Sequence, residues 1–339
     1  MGSGSNDEAR RIDEAVAALS ELGTAEAPRP RPGRGGDRRI VAIAGGKGGT
    51  GKSVVAVTLA VELAGRGLDV VLVDGDLGGP NLHSLLAMPF PKAALSDFIL
   101  RRADTLAELA VPTPVPRLTL ISGARNAQSV ASPMHQQKLR LIRALLALPA
   151  DVVVIDLGAG SHPNVVDFFL AARHGIMVVA PEPTAVENAY RFLKAAFLRN
   201  LRLAETGDDF KALLLQATQT NDGRAMAPAE LVDAIAGQDP EAGERLRRHV
   251  ATFRPLLLVN RARDARDLTL GEGMCAAASR LFGVEIGYVG HLHHSVPAEM
   301  AIRARLPLVG EHLGREMEGE LAAIATRLLA MPVEPEAGA

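Results

Sequence analysis

Two lysines stand in one glycine-rich stretch, GGKGGTGKS, which covers residues 45–53. Glycines allow successive backbone N–H groups to turn inward around a phosphate, and the start of a following helix adds positive potential. Lys52 is placed to reach the β- and γ-phosphates of a nucleotide, and the Ser53 hydroxyl is placed to bind Mg²⁺. The stretch therefore predicts a phosphate-binding loop. Lys47 is surplus to that loop, and its glycine neighbours leave it little to pack against.

Carboxylates follow two apolar segments further along the chain. VVLVDGD ends with Asp74 and Asp76, and VVVIDLGAG carries Asp156 ahead of its glycines. Asp156 suits the binding of Mg²⁺ or of its water shell, and Asp76 is placed to orient an attacking water. The N–H group of Gly160 is a further expected contact to the γ-phosphate. Ser53, Asp76 and Asp156 are therefore the predicted magnesium-site residues.

The segments that must position these groups alternate between buried strands and helices. Apolar β-branched runs separated by helical stretches are typical of a parallel sheet covered on both faces. We predict an α/β fold with three layers and a mostly parallel, doubly wound sheet, of the P-loop NTPase type, with ligands at the carboxyl ends of the strands. A helix is expected from Ser53 to Ala64. The predicted strands cover residues 39–46, 69–76, 118–122, 151–158, 175–183, 210–220, 255–263 and 284–290.

The chain divides into three predicted regions. Residues 1–37 hold a short amphipathic helix at 5–22 and a flexible linker at 27–37 that is rich in Pro, Gly and Arg. Residues 38–330 form the phosphate-loop domain, with a polar helical insertion at 221–250. Residues 331–339 are expected to be a disordered tail.

Bulk composition argues against several classes of function. The formal net charge of −2 gives no overall attraction to nucleic acid or to an anionic membrane. Aromatic residues make up 3% of the chain and Trp is absent, which argues against a base-stacking surface. Cys275 is the only cysteine, so no iron–sulfur cluster or thiolate zinc site can form within one chain. No apolar run reaches transmembrane length, and we expect a cytoplasmic location.

The motifs resemble those of one family, the MinD/ParA ATPases. KGGTGKS resembles that family's deviant Walker A motif, in which a lysine precedes the loop glycines. DGDLGGPNLH resembles its DxD strand end, DLGAG resembles its switch segment, and LLLVNRAR resembles the strand whose asparagine, here Asn260, contacts adenine. The resemblance covers roughly residues 38–330 and is strongest to regulators of flagellar number of the FlhG/FleN type. One departure is the usual Pro-x-Asp after the last strand, which is replaced by a His-rich sequence.

The resemblance implies an ATP-driven switch that uses ATP and Mg²⁺ as cofactors. ATP brings two monomers face to face, Lys47 reaches across to the partner's phosphates, and slow hydrolysis to ADP and phosphate releases the homodimer. On this view Lys47 cannot pack within its own chain. The implied catalytic residues are Lys47, Lys52 and Asp76. The implied nucleotide-binding residues are Gly46, Lys47, Gly48, Gly49, Thr50, Gly51, Lys52, Ser53, Val54, Gly160 and Asn260.

Several functions remain open at this point. The first is a spatial regulator that sets flagellum number or places other cargo, with recruitment to a pole or to the nucleoid. The alternative is a ParA-type ATPase for DNA partitioning, for which the basic stretches at 187–205 and 244–249 leave room. An iron–sulfur carrier of the Mrp type requires a CxxC pair. A catalytically idle scaffold conflicts with the intact loop and carboxylates.

The chain termini and the His-rich segment give weaker indications. An unidentified protein partner is a candidate to bind the helix at 5–22. The helix near the C-terminus is acidic, the wrong sign for anionic lipid, so we expect it to dock on the domain and do not expect it to bind a membrane. His291, His293 and His294 rarely converge on one ion without a carboxylate, so we expect a polar loop near the nucleotide base.

Overall fold

The computed structural model describes residues 38–124, 135–204 and 228–332. The predicted helix at 5–22, the linker at 27–37, the strand at 210–220 and the tail from 333 onward lie outside these described residues.

The described residues form one eight-stranded sheet with helices on both faces. The strands are β1 (Arg39–Gly45), β2 (Val70–Gly75), β3 (Val111–Pro112), β4 (Leu118–Ile121), β5 (Val152–Ala159), β6 (His174–Val179), β7 (Leu256–Ala262) and β8 (Gly287–His293). The helices are α1 (Lys52–Gly65), α2 (Leu82–Leu85), α3 (Leu95–Ile99), α4 (His135–Leu146), α5 (Pro163–Ala171), α6 (Pro183–Ala204), α7 (Pro228–Gln238), α8 (Pro240–Val250), α9 (Ala265–Phe282), α10 (Val296–Arg303) and α11 (Arg315–Ala330).

The strand order across the sheet is β3-β4-β2-β5-β1-β6-β7-β8. Within the described residues β3 pairs antiparallel with β4, and every other neighbouring pair is parallel. The predicted fold class is thus confirmed. The short strand β3 was not predicted, because two residues are too few to show a strand pattern.

Alternate side chains of the central strand β1 are buried in two separate hydrophobic cores, one on each face of the sheet. Val41 and Ile43 are fully buried against α1 and α11 on one face of the sheet. Ile40, Ala42 and Ala44 face the other core, to which α3 to α9 contribute. Each fully buried Val or Ile contributes roughly 1.5–3 kcal/mol relative to an exposed one. The two cores fix β1 on both faces, so the loop after it starts from a rigid strand end.

Two helices whose packing was in question lie against the sheet. The basic helix at 187–205 corresponds to most of α6, and its apolar stripe is buried: Phe192, Leu193, Phe197 and Leu201. The acidic helix near the C-terminus is α11, and its stripe is buried too: Met317, Leu321, Ile324 and Leu328. Docking of α11 on the domain is therefore confirmed. Within the described residues no helix has the length and apolarity needed to span a bilayer.

The expectation of a polar loop at the histidines is wrong. Strand β8 begins at Gly287 and continues through His293, because Val259 and Ala262 of β7 pair with His291 and His293. Both histidines therefore lie on a strand at the edge of the sheet. The pattern VEIGYVG had placed the strand from 284 to 290, too early along the chain.

Candidate functional site

The loop between β1 and α1 has glycines where a side chain would not fit. Gly49 and Gly51 adopt φ of +82° and +86°, in the left-handed region that favours glycine. A Cβ on Gly51 would lie 2.2 Å from Nδ2 of Asn260, and one on Gly46 would lie 2.1 Å from the Asn188 carbonyl oxygen. A Cβ on Gly49 would meet nothing within 4 Å. The loop is thus closed on its protein side and open on the other, as a phosphate cradle must be.

The N–H groups in the first turn of helix α1 point toward this cradle. The N–H of Val55 donates to the Gly51 carbonyl at 3.0 Å and starts the helical hydrogen-bond ladder. The N–H groups of Lys52, Ser53 and Val54 precede it and have no acceptor within the helix. Such N–H groups and the helix dipole together favour a bound anion.

Lys52 brings a buried cation to the same place. Only 8% of the residue is exposed, and burial lowers the pKa of its ammonium group while Asp156 and Asp76 act in the opposite direction. Its Nζ lies 3.5 Å from the Lys47 carbonyl oxygen. Because groups of the chain only partly offset the cost of burying this ammonium group, it is available to bind phosphate oxygens.

Asp156 and Ser53 form the part of the site that fits Mg²⁺. Asp156 is 1% exposed, and its Oδ1 has no hydrogen-bond partner among the described residues. Burial raises its pKa to about 7, and the hydrogen bond with the Ser53 side chain acts to lower it. Hydroxyl and carboxylate oxygens are the ligands Mg²⁺ prefers, so an unpartnered buried carboxylate oxygen beside a hydroxyl fits that ion.

Asp74 lies directly opposite Asp156, because the two residues pair in register between β2 and β5. Burial raises the pKa of Asp74 to about 6. Its Oδ2 accepts the N–H groups of Asn81 at 2.9 Å and Leu82 at 3.1 Å. Asp74 therefore anchors the turn after β2, and that turn positions Asp76.

Asp76 directly follows the last residue of β2, beside the end of β5. Its Oδ1 accepts the N–H groups of Gly78 and Gly79, both at 3.1 Å. A Cβ on Gly158 would lie 3.5 Å from the same oxygen, so the carboxylate faces the switch segment after β5. This placement suits a group that orients water beside a phosphate.

Gly160 is engaged differently from the sequence-based expectation. It has φ of +84°, and its N–H donates to the Gly45 carbonyl at 3.1 Å. A contact from this N–H to a γ-phosphate would require that hydrogen bond to break.

Lys47 does have partners in its own chain, which corrects the expectation that it cannot pack there. Its Nζ lies 2.9 Å from Oγ1 of Thr184 and 3.3 Å from Oε2 of Glu182. The side chain is still 41% exposed. Glu182 and Thr184 follow β6, the strand beside β1, so they reach the loop from its other flank.

Two residues at the end of β7 donate hydrogen bonds to carbonyl groups of the phosphate loop. Asn260 is 3% exposed, and its Nδ2 donates to the Thr50 carbonyl at 2.8 Å. Arg261, at φ of +63°, directs a guanidinium nitrogen to within 3.4 Å of the Gly49 carbonyl. Contact of Asn260 with adenine stays a prediction.

Sequence reasoning missed three residues that touch the loop, Glu182, Thr184 and Arg261. One signal was present: polar residues directly follow the apolar runs of β6 and β7, at the sheet edge where ligands of parallel sheets bind. Nothing in the pattern indicates which of these residues meets which loop atom.

Comparison with known proteins matches the region that contains the phosphate loop and its carboxylates. The family model described as ParA, NUBPL iron-transfer P-loop NTPase, matches residues 37–203. The antiactivator FleN of Pseudomonas aeruginosa is 37% identical over 158 residues, which are 46% of this chain and 55% of FleN. The flagellum site-determining protein YlxH of Helicobacter pylori is 27% identical over 197 residues, 56% of this chain and 62% of YlxH. The chain thus spans a little more than half the length of these curated relatives.

A solved structure supports the fold. The septum site-determining protein MinD of Pyrococcus horikoshii, complexed with Mg-ADP, has a TM-score of 0.57 at 19% sequence identity. The alignment covers 86% of this chain and 96% of that MinD. The matched family model, the two relatives and a phosphate loop with an early lysine all show that the chain is similar to the MinD/ParA P-loop ATPases.

Proposed function

We propose that the chain binds ATP with Mg²⁺, forms a homodimer in that state, and dissociates after hydrolysing ATP to ADP and phosphate. The observation that carries the proposal is the pair of lysines in one loop. Lys52 is buried and lies near Asp156 and Asp76, whereas Lys47 is half-exposed and directed toward the flank of the loop.

Each residue of the site has a distinct part in binding. The N–H groups of Lys52, Ser53 and Val54 and the Lys52 ammonium hold the phosphates. The Ser53 hydroxyl and the Asp156 carboxylate would hold Mg²⁺, which when bound neutralises charge on the β- and γ-phosphates. Gly46, Gly48, Gly49, Thr50 and Gly51 form the cradle, and Asn260 supports it from beneath.

Hydrolysis requires an oriented water and a cation opposite the γ-phosphate. Asp76 is the residue placed to orient the water, which attacks the γ-phosphorus while the bond to the β–γ bridging oxygen breaks and ADP leaves. Lys47 of the partner subunit supplies positive charge to the transferring phosphoryl group. Charge supplied across an interface makes hydrolysis depend on dimerisation.

We propose that this switch acts as a spatial regulator of flagellum number or placement, or of another cargo. The names of FleN and YlxH support that direction, and YlxH is a flagellum site-determining protein. The cargo protein is a candidate to bind the segment at 5–22. Recruitment to a pole or to the nucleoid fits such a role.

DNA partitioning receives less support from the basic residues that suggested it. Arg191 and Arg199 of α6 pair with Glu187 and the buried Asp167. Arg247 and Arg248 of α8 pair with Asp233 and Glu244. A cation beside a carboxylate adds little net charge to the surface, so these pairs contribute little long-range attraction for a phosphate backbone.

Iron transfer, which the family model's description names, lacks ligands in this sequence. Cys275 is the only cysteine. It is buried, and burial raises the pKa of its thiol to about 11, so the thiolate that an iron site needs is disfavoured.

Light scattering coupled to size-exclusion chromatography, with Mg²⁺ and either ADP or ATP, tests the proposal. We expect a monomer with ADP and a dimer with ATP that decays as phosphate is released. A protein that stays monomeric with ATP, or that dimerises equally with ADP, would contradict it.

A further inference from the structure

Two histidines and a carboxylate converge at the edge of the sheet far from the phosphate loop in sequence. His291 and His293 lie two residues apart on β8, so their side chains share one face of the strand. Glu320 of α11 reaches them: its Oε1 is 2.5 Å from Nδ1 of His293 and 3.3 Å from Nε2 of His291. One ligand atom from each of the three residues lies within 4.8 Å of the other two.

We propose that His291, His293 and Glu320 form a binding site for a divalent transition-metal ion of the Zn²⁺ type. Imidazole nitrogen and carboxylate oxygen are ligands that Zn²⁺ takes in proteins, at about 2.0–2.2 Å. Ligand atoms at that distance in a tetrahedral set are about 3.4 Å apart. The 3.3 Å separation of His291 Nε2 and Glu320 Oε1 already has this length, and the shorter contact between His293 Nδ1 and Glu320 Oε1 would have to lengthen to accept the ion.

The surroundings hold the ligands in the required orientation. The hydroxyl of Tyr288 lies 3.3 Å from Nδ1 of His291, which leaves Nε2 as the nitrogen that faces the cluster. The backbone N–H of His293 donates to Oε2 of Glu320 at 2.9 Å, so Oε1 is turned toward the imidazoles. Hydrogen bonds of this kind fix ring and carboxylate orientation in metal sites.

Both elements that carry the ligands are fixed to each other. Arg327 of α11 donates to the carbonyl of Val289 at 2.9 Å. A Cβ on Gly290 would lie 3.1 Å from Cγ1 of Ile324, so the helix crosses the strand at close contact directly beside His291. A site built on two packed elements needs little rearrangement to accept an ion.

A fourth ligand is within reach one helical turn earlier. Oε1 of Glu316 lies 3.5 Å from Nδ1 of His293, and the side chain is 69% exposed. Glu316 and Glu320 are four residues apart and share one face of α11. The set of two histidines and two glutamates would complete four-coordination, and the exposed Glu316 leaves an entry path for the ion.

A metal ion at this site would link β8, the last strand, to α11, the last described helix. Leu292 of β8 pairs with Asn260 of β7, the residue that supports the phosphate loop. A metal bound beside Leu292 would therefore fix α11 to β8, the strand that pairs with β7 and its Asn260.

Isothermal titration of tag-free, EDTA-treated full chain with Zn²⁺, without nucleotide, tests the site. We expect a single ion per chain, and binding at least ~10-fold weaker for His293→Ala and for Glu320→Gln, because each loses a ligand. His294→Ala is the matched control, since His294 faces Glu299 instead and lies outside the cluster. This variant should bind Zn²⁺ as the unaltered chain does.

Spectra of Co²⁺ give a second readout, which reports the coordination geometry of the bound ion. Visible absorption typical of tetrahedral Co²⁺ should appear with the unaltered chain and with His294→Ala, and be lost in Glu320→Gln. ADP binding measured on every variant shows that its fold is intact. No Zn²⁺ binding by the unaltered chain, or equal binding by Glu320→Gln, would overturn the proposal and leave a hydrogen-bonded His–Glu cluster.

Discussion

The Nζ atom of Lys47 lies 3.3 Å from the carboxylate of Glu182, so the lysine proposed to serve a partner subunit is held by an ion pair within its own chain. The side chains of both residues are about half-exposed, at 41% and 54%. An exposed pair of this kind contributes only about 0.2–1 kcal/mol. The lysine can therefore exchange Glu182 for a triphosphate, which carries more charge and more acceptor oxygens.

The first prediction concerns this exchange. Glu182→Gln removes the competing charge and leaves the backbone contacts of residue 182 in place. We expect the ATP-driven dimer to form at a lower protein concentration, because neither subunit then has to break the ion pair between Lys47 and Glu182. The dissociation constant of the dimer should fall by up to ~5-fold for each subunit. Light scattering over a dilution series with Mg²⁺ and ATP measures the dissociation constant of the dimer.

A matched variant separates this effect from a general loss of surface charge. Glu187→Gln removes an exposed carboxylate that pairs with Arg191 on α6. Its dimer should form at the same concentration as that of the unaltered chain. Weaker dimerisation of Glu182→Gln would mean that Glu182 supports the dimer instead of competing with it.

The second prediction concerns Lys47 itself. Lys47→Ala should bind ATP, because the phosphates of its own nucleotide are held by Lys52 and the start of α1. It should remain monomeric, because nothing crosses to the partner's phosphates. Fluorescent ATP-analogue binding and light scattering measure the two properties separately, and Lys52→Ala is the comparison variant that loses nucleotide binding. Dimerisation of Lys47→Ala with ATP would refute the role in trans.

Local pattern was sufficient to locate the loop and its carboxylates. The apolar runs of β1, β2 and β5 define three adjacent strands, and the register of a parallel sheet then brings Asp74 and Asp156 together. The glycines of the loop are required by φ angles and close approaches that few other residues tolerate. The strand pattern and the glycine spacing are both properties of short segments, so they can be predicted from the local sequence.

Contacts between distant side chains were not predictable in the same way. Periodicity shows which face of an element is apolar, but not which element packs on it. Lys47 meets Glu182, and His293 meets Glu320, only because β6 lies beside β1 and α11 crosses β8. A metal site at the histidines was not expected, because histidines so close in sequence rarely converge on one ion without a carboxylate, and the packed helix α11 supplies Glu320.

The third prediction concerns Asp76. If Asp76 orients the attacking water, Asp76→Ala should slow phosphate release by ~10²–10⁴-fold and leave a long-lived ATP-bound dimer. Phosphate release and light scattering, measured on the same sample, show whether hydrolysis and dissociation stop together.

A conservative variant separates chemistry from turn structure. Oδ1 of Asp76 also accepts the N–H groups of Gly78 and Gly79. Asp76→Asn keeps an oxygen for those two hydrogen bonds but loses the negative charge. It should be as slow as Asp76→Ala. An Asp76→Asn protein that hydrolyses ATP at the unaltered rate would limit Asp76 to holding the turn.

The fourth prediction concerns the pH dependence of Mg²⁺ binding. Burial raises the pKa of Asp156 to about 7, and a carboxyl must be deprotonated to bind a metal ion. The Mg²⁺-dependent part of ADP affinity should therefore rise with pH by up to ~10-fold per unit below about pH 7 and level off above it. Isothermal titration with ADP, with and without Mg²⁺, measures it. Asp156→Asn should remove the rise.

Without nucleotide, Asp156 makes the stability of the folded chain decrease as pH rises, whereas Mg²⁺ binding increases with pH. The folded-state pKa of Asp156 is raised from 3.8 to about 7, so the folded chain binds more protons than the unfolded chain across that window. Its contribution to stability is full below the lower value and is lost as pH rises through the higher one. Asp74, raised to about 6, acts in the same direction. The melting temperature without nucleotide should thus fall between about pH 4 and about pH 7, less steeply in Asp156→Asn. Equal slopes in the two proteins would show that Asp156 is not protonated in the folded chain.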